Sequence, residues 1–153
     1  YGLSTTILRY GIPYGPRARD AAVIPSFVNR ALSGEALTIT GDGSQFRQFV
    51  YVEDLAEGNA LALQPVGEHK TYNLDGSEKI TIRQVAETVQ KIIGNVEIIF
   101  SEGRPGDFAG KVSISRRAKE ELGWEPKVSF EEGVRRYIEW FKERAKKRKA
   151  EGL

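Results

Sequence analysis

The sequence predicts a single α/β domain, and two observations lead to that class. Short runs of β-branched and aromatic residues alternate with longer stretches in which apolar residues recur at helical spacing. The 153 residues are 40% hydrophobic and 29% charged, with 16 Gly and 6 Pro. This is the composition of one soluble globular domain, and it excludes a collagen-like chain, a coiled-coil rod and extended disorder.

The first half of the chain alternates strands, loops and helices. Residues 5–10 form a β-branched run that Gly11 and Pro13 end, so we predict a strand followed by a loop over residues 11–20. The next predicted elements are a helix over residues 24–32 that ends at Gly34, a strand at Leu37–Thr40, a short strand over 49–52, a helix from Glu53 and Asp54 to about Leu63, and a strand over 72–74.

Capping signals define the helices of the second half. Thr81 and Gln84 match a capping box, in which each side chain satisfies a backbone N–H at the start of a helix. The remaining predictions are a helical stripe as far as Gly94, a strand over 96–100, a short helix from Ser115 through Leu122 that ends at Gly123, and a capping box at Ser129 before the apolar stripe of Phe130, Val134, Tyr137, Ile138 and Phe141.

Residue types limit the chemistry. The chain has no Cys and one His, which excludes a disulfide framework and makes us expect no metal site. It has no Met, begins at Tyr1 without a signal-peptide pattern and contains no apolar run of membrane-spanning length, so we expect a cytoplasmic portion of a longer protein.

The positive charge lies at the C-terminal end. The net charge is +2, but residues 142–153 hold six of the basic residues and only two acidic ones, so the rest of the chain is at −2. We interpret this basic helical tail as a solvated helix end, where cations are favoured. Nucleic-acid binding by the tail is an alternative that no accompanying aromatic or Gly-rich pattern supports.

Two arginine-centred loops carry the candidate chemistry. Residues 41–47 place Arg47 shortly after a Gly-rich turn, and residues 103–107 place Arg104 and Asp107 around a Pro-Gly turn. A guanidinium suits phosphate, and a carboxylate suits sugar hydroxyls. Each loop alone favours an ordinary surface turn, and neither is a phosphate-binding P-loop, so the residues by themselves indicate only an anion-binding α/β domain.

The order of five segments carries a resemblance. These are TILRYGIPYGPR at 6–17, residues 23–58, YNLDG at 72–76, GRPGD at 103–107 and residues 122–140. In this order they resemble the C-terminal half of an NAD-dependent nucleotide-sugar epimerase/dehydratase of the extended short-chain dehydrogenase superfamily, most of all UDP-glucose 4-epimerase-like proteins. The resemblance implies that residues 5–10 and 72–74 are the last strands of a Rossmann sheet, and that the rest of 1–153 is a substrate-binding lobe.

The resemblance also implies roles for individual residues. Tyr10 matches a position beside the nicotinamide of NAD, and Val23 one whose backbone holds the nucleotide. The other matched positions are Thr38 and Thr40 beside the base, Arg47 and Arg104 on the diphosphate, and Asp107 beside the ribose. Asp54 matches a family acid, although we interpret it mainly as a helix-start residue.

Three positions depart from the family pattern. Ile12 stands where Asn is usual and cannot donate a hydrogen bond, Ala22 stands where some 4-epimerases have Asn, and Gln48 stands where Asp is common. Because of these departures, the sequence does not determine which sugar and which base the site would bind.

The catalytic parts of the family have no counterpart in the sequence. The Gly-rich NAD loop and the Tyr-x-x-x-Lys pair are expected before residue 1, so the chain holds no catalytic residue and should be inactive alone. In a whole enzyme of this type the tyrosine removes a hydroxyl proton while NAD accepts hydride, and the 4-keto sugar then takes the hydride back on its other face.

These implications favour the UDP-sugar-binding portion of a UDP-glucose/UDP-galactose 4-epimerase, working with an N-terminal Rossmann half in a homodimer. The alternatives are the same portion of a dTDP-glucose 4,6-dehydratase or another nucleotide-sugar epimerase and, in a different class, a non-enzymatic module with a nucleic-acid-binding tail. If residues 5–10 form a Rossmann strand, we further expect an unpaired sheet edge in the isolated chain.

Overall fold

A computed structural model describes residues 2–103 and 109–150. Its elements follow in chain order: β1 (Ile7–Tyr10), β2 (Ile12–Tyr14), α1 (Val23–Leu32), β3 (Leu37–Thr40), β4 (Phe46–Arg47), β5 (Phe49–Tyr51), α2 (Val52–Ala62), a 3-10 turn (Pro65–Gly67), β6 (Thr71–Leu74), β7 (Ile80–Thr81), α3 (Ile82–Ile93), β8 (Ile98–Ser101), α4 (Arg116–Leu122) and α5 (Phe130–Ala150). The predicted α/β class is confirmed.

The strands pair two by two. β1 pairs with β6, β2 with β5 and β3 with β8, all in parallel, while β4 and β7 are antiparallel. Parallel partners must be joined by long crossovers, and here helices fill them. The carboxyl ends of β3 and β8 therefore lie side by side, with Thr40 opposite Ser101.

Some strands differ from the sequence predictions. The predicted loop over 11–20 contains β2, so that part of the prediction is wrong: the pairing with β5 orders this stretch despite Pro13. β4 and β7 are two residues each and were not predicted. Val52, expected to end a strand, is instead the first residue of α2.

Helices α1, α3 and α5 enclose a larger core with β3, β2 and β5. The predicted stripe of α5 belongs to it, with Phe130, Val134, Tyr137 and Ile138 buried and Phe141 packed against them. We call this part of the molecule the larger region. Tyr14 lies near its centre, where its ring contacts Phe49, Tyr51 and Phe130.

A second core lies around the β1–β6 pair, and we call this part the smaller region. Its buried residues come from β5, α2, β6, α4 and the segment after α4: Val50, Leu55, Ala62, Tyr72, Leu74, Ala118, Leu122 and Trp124. At Gly58, helix α2 packs closely against β6 and Trp124. A Cβ at this position would lie 2.7 Å from Leu74 Cδ1 and 3.0 Å from Trp124 Nε1. A larger residue at position 58 would therefore force Leu74 to shift within the core.

The capping predictions hold in part. The Thr81–Gln84 box is confirmed, because Gln84 N donates to Thr81 Oγ1 over 3.1 Å and Thr81 N donates to Gln84 Oε1 over 2.8 Å. Gly123 ends α4 in the left-handed conformation, as predicted. The Ser115 prediction is wrong in detail: Ser115 is the N-cap residue, but its hydroxyl accepts from Asp75 N over 2.9 Å instead of capping the helix.

The two ends of the described chain are open to solvent. Among the described residues β1 pairs only with β6, and Ile7 and Tyr10 are 56% and 48% exposed. Residues 142–148 continue α5 with exposed side chains, as in a solvated helix end. Within the described ranges no helix is long and apolar enough to cross a membrane.

Candidate functional site

One cavity gathers four of the residues that the sequence singled out. Val23, Thr38, Thr40 and Arg47 line a space of about 260 Å³ in the larger region. Its other walls are Phe27, Ile39, Gln45 and Ile82. Three separate elements, α1, β3 and β4, thus bring the predicted residues to one place, together with apolar neighbours that sequence reasoning missed.

The alternation of β3 explains why its two threonines reach this cavity. Leu37 and Ile39 are buried in the larger core, and Thr38 and Thr40 lie on the opposite face, half-exposed. Gln45 ties the end of the strand to the following turn, because its Nε2 donates to Thr40 O over 3.2 Å. The cavity wall therefore presents two hydroxyls on a fixed strand.

The start of α1 forms the second wall. Val23 is the first helical residue, and Ala22 before it makes no side-chain cap. An Asn side chain at position 22 could cap the helix, but Ala22 cannot. The backbone N–H groups of the first turn of α1 are therefore left without a side-chain cap from this position. A helix start also carries partial positive charge, which favours an anionic ligand.

Arg47 supplies the cationic wall. It lies on β4, opposite Ile80 of β7, and its Nη1 donates to Phe46 O over 2.7 Å. This contact to its own strand holds the guanidinium beside the cavity. A guanidinium fixed in this way suits recognition of phosphate oxygens.

In the glycine-rich turn over residues 41–44, beside the cavity, Asp42 stabilises the turn itself. Ser44 N donates to the Asp42 carboxylate over 2.9 Å, and hydrogen bonds from Ser44 lower the pKa of Asp42. Gly41 and Gly43 have φ of 74° and 73°, which a side chain would strain. Arg83 Nη2 also binds Asp42 O over 3.1 Å, so α3 anchors the turn.

Arg104 and Asp107 lie outside the described residues, and their placement at the diphosphate and ribose stays a prediction. The described residues on either side are near the cavity. Gly103 lies against Gly41, whose Cβ would be 3.7 Å from Gly103 Cα, and Ala109 O accepts from Phe46 N over 2.8 Å. Both flanks therefore contact residues next to the cavity wall.

Tyr10 lies apart from this cavity, at the carboxyl end of β1. Its hydroxyl donates to Asn59 Oδ1 over 2.7 Å, and Asn59 Nδ2 in turn donates to Leu55 O over 2.7 Å. Helix α2 thus holds the exposed tyrosine ring in one orientation. The structure places Tyr10 with the smaller region, and the other described candidates with the larger region.

Asp54 and Gln48 are two of the few buried polar residues. Asp54 Oδ2 accepts from Val128 N over 3.1 Å and Asp54 O accepts from Trp124 Nε1 over 2.8 Å, so this acid links the start of α2 to the segment before α5. Gln48 is not among the residues that line the cavity beside Arg47. Its hydrogen bonds could not be inferred from sequence, because its partners lie 28 and 65 residues away.

Comparison with known proteins identifies similar sequences. Residues 1–75 match the model of the family described as NAD dependent epimerase/dehydratase. The chain is 34% identical over 145 residues to the UDP-glucuronate 4-epimerase of Thermodesulfobacterium geofontis, covering 94% of this chain and 45% of that protein. It is 38% identical over 137 residues to UDP-glucuronic acid decarboxylase 6 of Arabidopsis thaliana, covering 88% and 40%.

Solved structures agree with this result. The UDP-glucose 4-epimerase of Thermotoga maritima, solved with UDP-glucose, superposes with a TM-score of 0.88 at 36% identity, covering 95% of this chain and 48% of that one. Other similar structures include a dTDP-glucose 4,6-dehydratase and 4-epimerases in complex with NAD. The chain spans about half the length of the relatives that it matches.

Proposed function

The chain belongs to the NAD-dependent epimerase/dehydratase family of extended short-chain dehydrogenases, and on that premise we propose that it is the nucleotide-sugar-binding portion of a UDP-sugar 4-epimerase. The observation that carries the proposal is the cavity in which Val23, Thr38, Thr40 and Arg47 meet. The similarity to a 4-epimerase solved with UDP-glucose supports the choice of ligand.

The walls of the cavity suit the two ends of a uridine diphosphate. Phe27 and Ile82 offer apolar surface to a base, and Thr38 and Thr40 offer hydroxyls to its polar edge. Arg47 and the start of α1 offer positive charge to the phosphates. At about 260 Å³ the cavity is slightly smaller than ligand pockets of roughly 300–1,000 Å³, as expected if it holds the nucleotide and leaves the sugar outside.

Tyr10 is assigned to the cofactor side of the complete site. Bound NAD would supply the hydride acceptor and donor, since nicotinamide chemistry belongs to the cofactor. The contribution of this chain is to present the Tyr10 ring, which Asn59 orients, at the carboxyl end of β1. Ligands of parallel α/β sheets bind at that edge.

The remaining parts of the enzyme would come from residues outside this sequence. We propose that an N-terminal Rossmann half supplies the Gly-rich NAD loop and the Tyr-x-x-x-Lys pair. The open edge of β1 supports this, because another parallel strand can pair there with its unused backbone groups. On this view the chain holds the substrate and does not convert it.

Isothermal titration of the chain with UDP tests the nucleotide site. We expect heat with UDP and none with NAD. Arg47→Met should weaken UDP binding by about 10- to 100-fold, because it removes a charge-assisted contact of roughly 1.5–3 kcal/mol. Arg117→Met is the matched control, since Arg117 lies on α4 and pairs with Glu121, away from the cavity.

Three outcomes would contradict the proposal. They are a wild-type chain that does not bind UDP, an Arg47→Met variant that binds UDP as tightly as the wild type, and tight NAD binding or turnover by the chain alone. A competition series with dTDP separates the leading alternative. Displacement of UDP by dTDP at lower concentration would favour a dTDP-glucose 4,6-dehydratase, the enzyme seen in two of the similar structures.

A further inference from the structure

Gln48 is a buried side chain whose amide makes three hydrogen bonds, all of them to backbone groups. It lies between Arg47 and Phe49 and is 9% exposed. Ser113 N donates to its Oε1 over 2.6 Å, and its Nε2 donates to Ser113 O over 3.1 Å and to Gly76 O over 2.8 Å. The amide thus pairs with both backbone groups of Ser113, as a neighbouring strand residue would.

A second contact runs in parallel with this pair. Phe46 N donates to Ala109 O over 2.8 Å, so residues on both sides of Arg47 are bonded to the segment over 109–113. The segment also fits closely at Gly110, where a Cβ would lie 2.7 Å from Phe46 O and φ is 137°. The backbone that carries Arg47 is therefore held between two fixed points.

The chemistry of the amide explains why glutamine suits this position. Its partners are one N–H donor and two carbonyl acceptors, so the side chain must both accept and donate. A carboxylate can only accept, and it would face the carbonyl oxygens of Gly76 and Ser113 with no proton to share. The Gln48 departure from the family Asp thus alters backbone anchoring and not the surface of the nucleotide cavity.

We propose that Gln48 is a positioning residue for nucleotide binding. By fixing the 109–113 segment against β4 and β5, it sets the direction in which Arg47 enters the cavity. Loss of the amide frees the segment and lets the guanidinium move away from the phosphate, although Arg47 itself is unchanged. This inference rests on the proposed nucleotide site and adds a residue that does not line it.

Two substitutions and one control test this role. Gln48→Met keeps the approximate volume and removes the amide, and Gln48→Glu keeps the shape and removes the donor. Gln90→Met is the control, because Gln90 Nε2 likewise donates to a backbone carbonyl, that of Val96, over 2.6 Å, but lies on α3 away from Arg47. The measurements are the UDP dissociation constant by calorimetry, the thermal midpoint, and hydrogen exchange of the Ser113 amide.

We expect both Gln48 variants to bind UDP about tenfold more weakly and to exchange the Ser113 amide faster. Gln90→Met should lower the thermal midpoint without changing UDP affinity. If the Gln48 variants are too unstable to measure, Gly110→Ala displaces the same segment with Gln48 intact, and it should weaken UDP binding by a similar factor.

Wild-type UDP affinity in a folded Gln48→Met protein would overturn the inference, as would an equal loss of affinity in Gln90→Met. For Gly110→Ala, unchanged affinity would have the same meaning. These results differ from failure of the proposed function, in which the wild-type chain itself would not bind UDP.

Discussion

The larger and smaller regions differ in how completely each closes its core. In the larger region three helices cover the strands, and aromatic residues such as Tyr14, Phe49 and Phe130 are buried. In the smaller region the strand pair is less covered, because Ile7 of β1 and the nearby Leu63 are 56% and 88% exposed. The larger region can therefore hold a ligand site by itself, whereas the smaller region presents surface for a further strand.

The candidate residues divide along the same boundary. Val23, Thr38, Thr40 and Arg47 belong to the larger region, and Tyr10 belongs to the smaller one. On the proposed assignments, nucleotide binding and cofactor contact fall in different regions of this chain. Variants that disturb one region should leave the other function intact.

The largest effect is expected in the smaller core. Trp124→Ala should lower the free energy of unfolding by about 3–5 kcal/mol, because the ring is 1% exposed and its Nε1 binds Asp54 O. Urea unfolding measures the loss, and Trp140→Ala on the half-buried side of α5 should lose less. UDP affinity should remain at its wild-type value under conditions in which the variant is folded. Loss of UDP binding there would show that the two regions are not separable.

The second-largest effect is expected at alkaline pH, which should destabilise the core of the larger region. Tyr137 is 1% exposed, and burial, with the Asp20 charge as a smaller cause, raises its pKa to about 12. An unfolded tyrosine ionises at about pH 10, so the contribution of Tyr137 to stability is complete below that pH and is lost as pH rises to about 12. Tyr137→Phe should reduce the loss of stability between pH 8 and 11 by about 1–2 kcal/mol in urea unfolding.

Burial also raises the pKa of Tyr14, so the Tyr137→Phe protein should keep part of the alkaline transition. The same pH dependence in Tyr137→Phe and wild type would contradict the burial of this phenol in the larger core.

A smaller effect is expected at the start of α3. Thr81→Ala removes the hydroxyl that accepts from Gln84 N and should lower stability by about 1 kcal/mol. Thr88→Ala is the control, since its hydroxyl donates to Gln84 O on the exposed face of the same helix. Thermal unfolding compares the two, and an equal or greater loss in Thr88→Ala would argue against the capping role.

The smallest change in stability is expected at the open edge of β1. The quantity to measure there is self-association of the chain. The wild-type chain should self-associate or bind a hydrophobic dye at high concentration, and Ile7→Lys should reduce both because a charge on an edge strand opposes pairing. Leu32→Lys, at an exposed apolar position on helix α1 of the larger region, is the matched variant and should leave both readouts unchanged because it lies on no strand. A wild-type chain that stays monomeric and does not bind dye would contradict an open edge in the smaller region.

Local patterns in the sequence were enough to predict much of the larger region. The helical stripes, the Thr81–Gln84 box and the strand at Leu37–Thr40 depend on neighbouring residues, and the structure confirms them. The alternation of β3 also accounts for the placement of Thr38 and Thr40 on one face. The Gly-rich turn pointed to Arg47 and the resemblance added Val23, and these two residues, far apart in the sequence, meet only in the folded chain.

Features that depend on distant partners escaped sequence reasoning. β4 and β7 are two residues long and exist because they pair with each other across more than thirty residues. The hydroxyl of Ser115 had a suitable local helix to cap but binds Asp75 N instead. Gln48 looked like a change in specificity, whereas its partners are backbone groups of Gly76 and Ser113 that no local pattern reveals.

An NMR titration of the labelled chain with UDP tests the division between the regions most directly. The amide signals of Val23, Thr38, Thr40 and Arg47 should shift with increasing UDP, because these residues line the cavity. Signals of buried residues in the smaller region, such as Tyr72, should stay in place. Shifts confined to the smaller region, or no shifts at saturating UDP, would contradict a nucleotide site in the larger region.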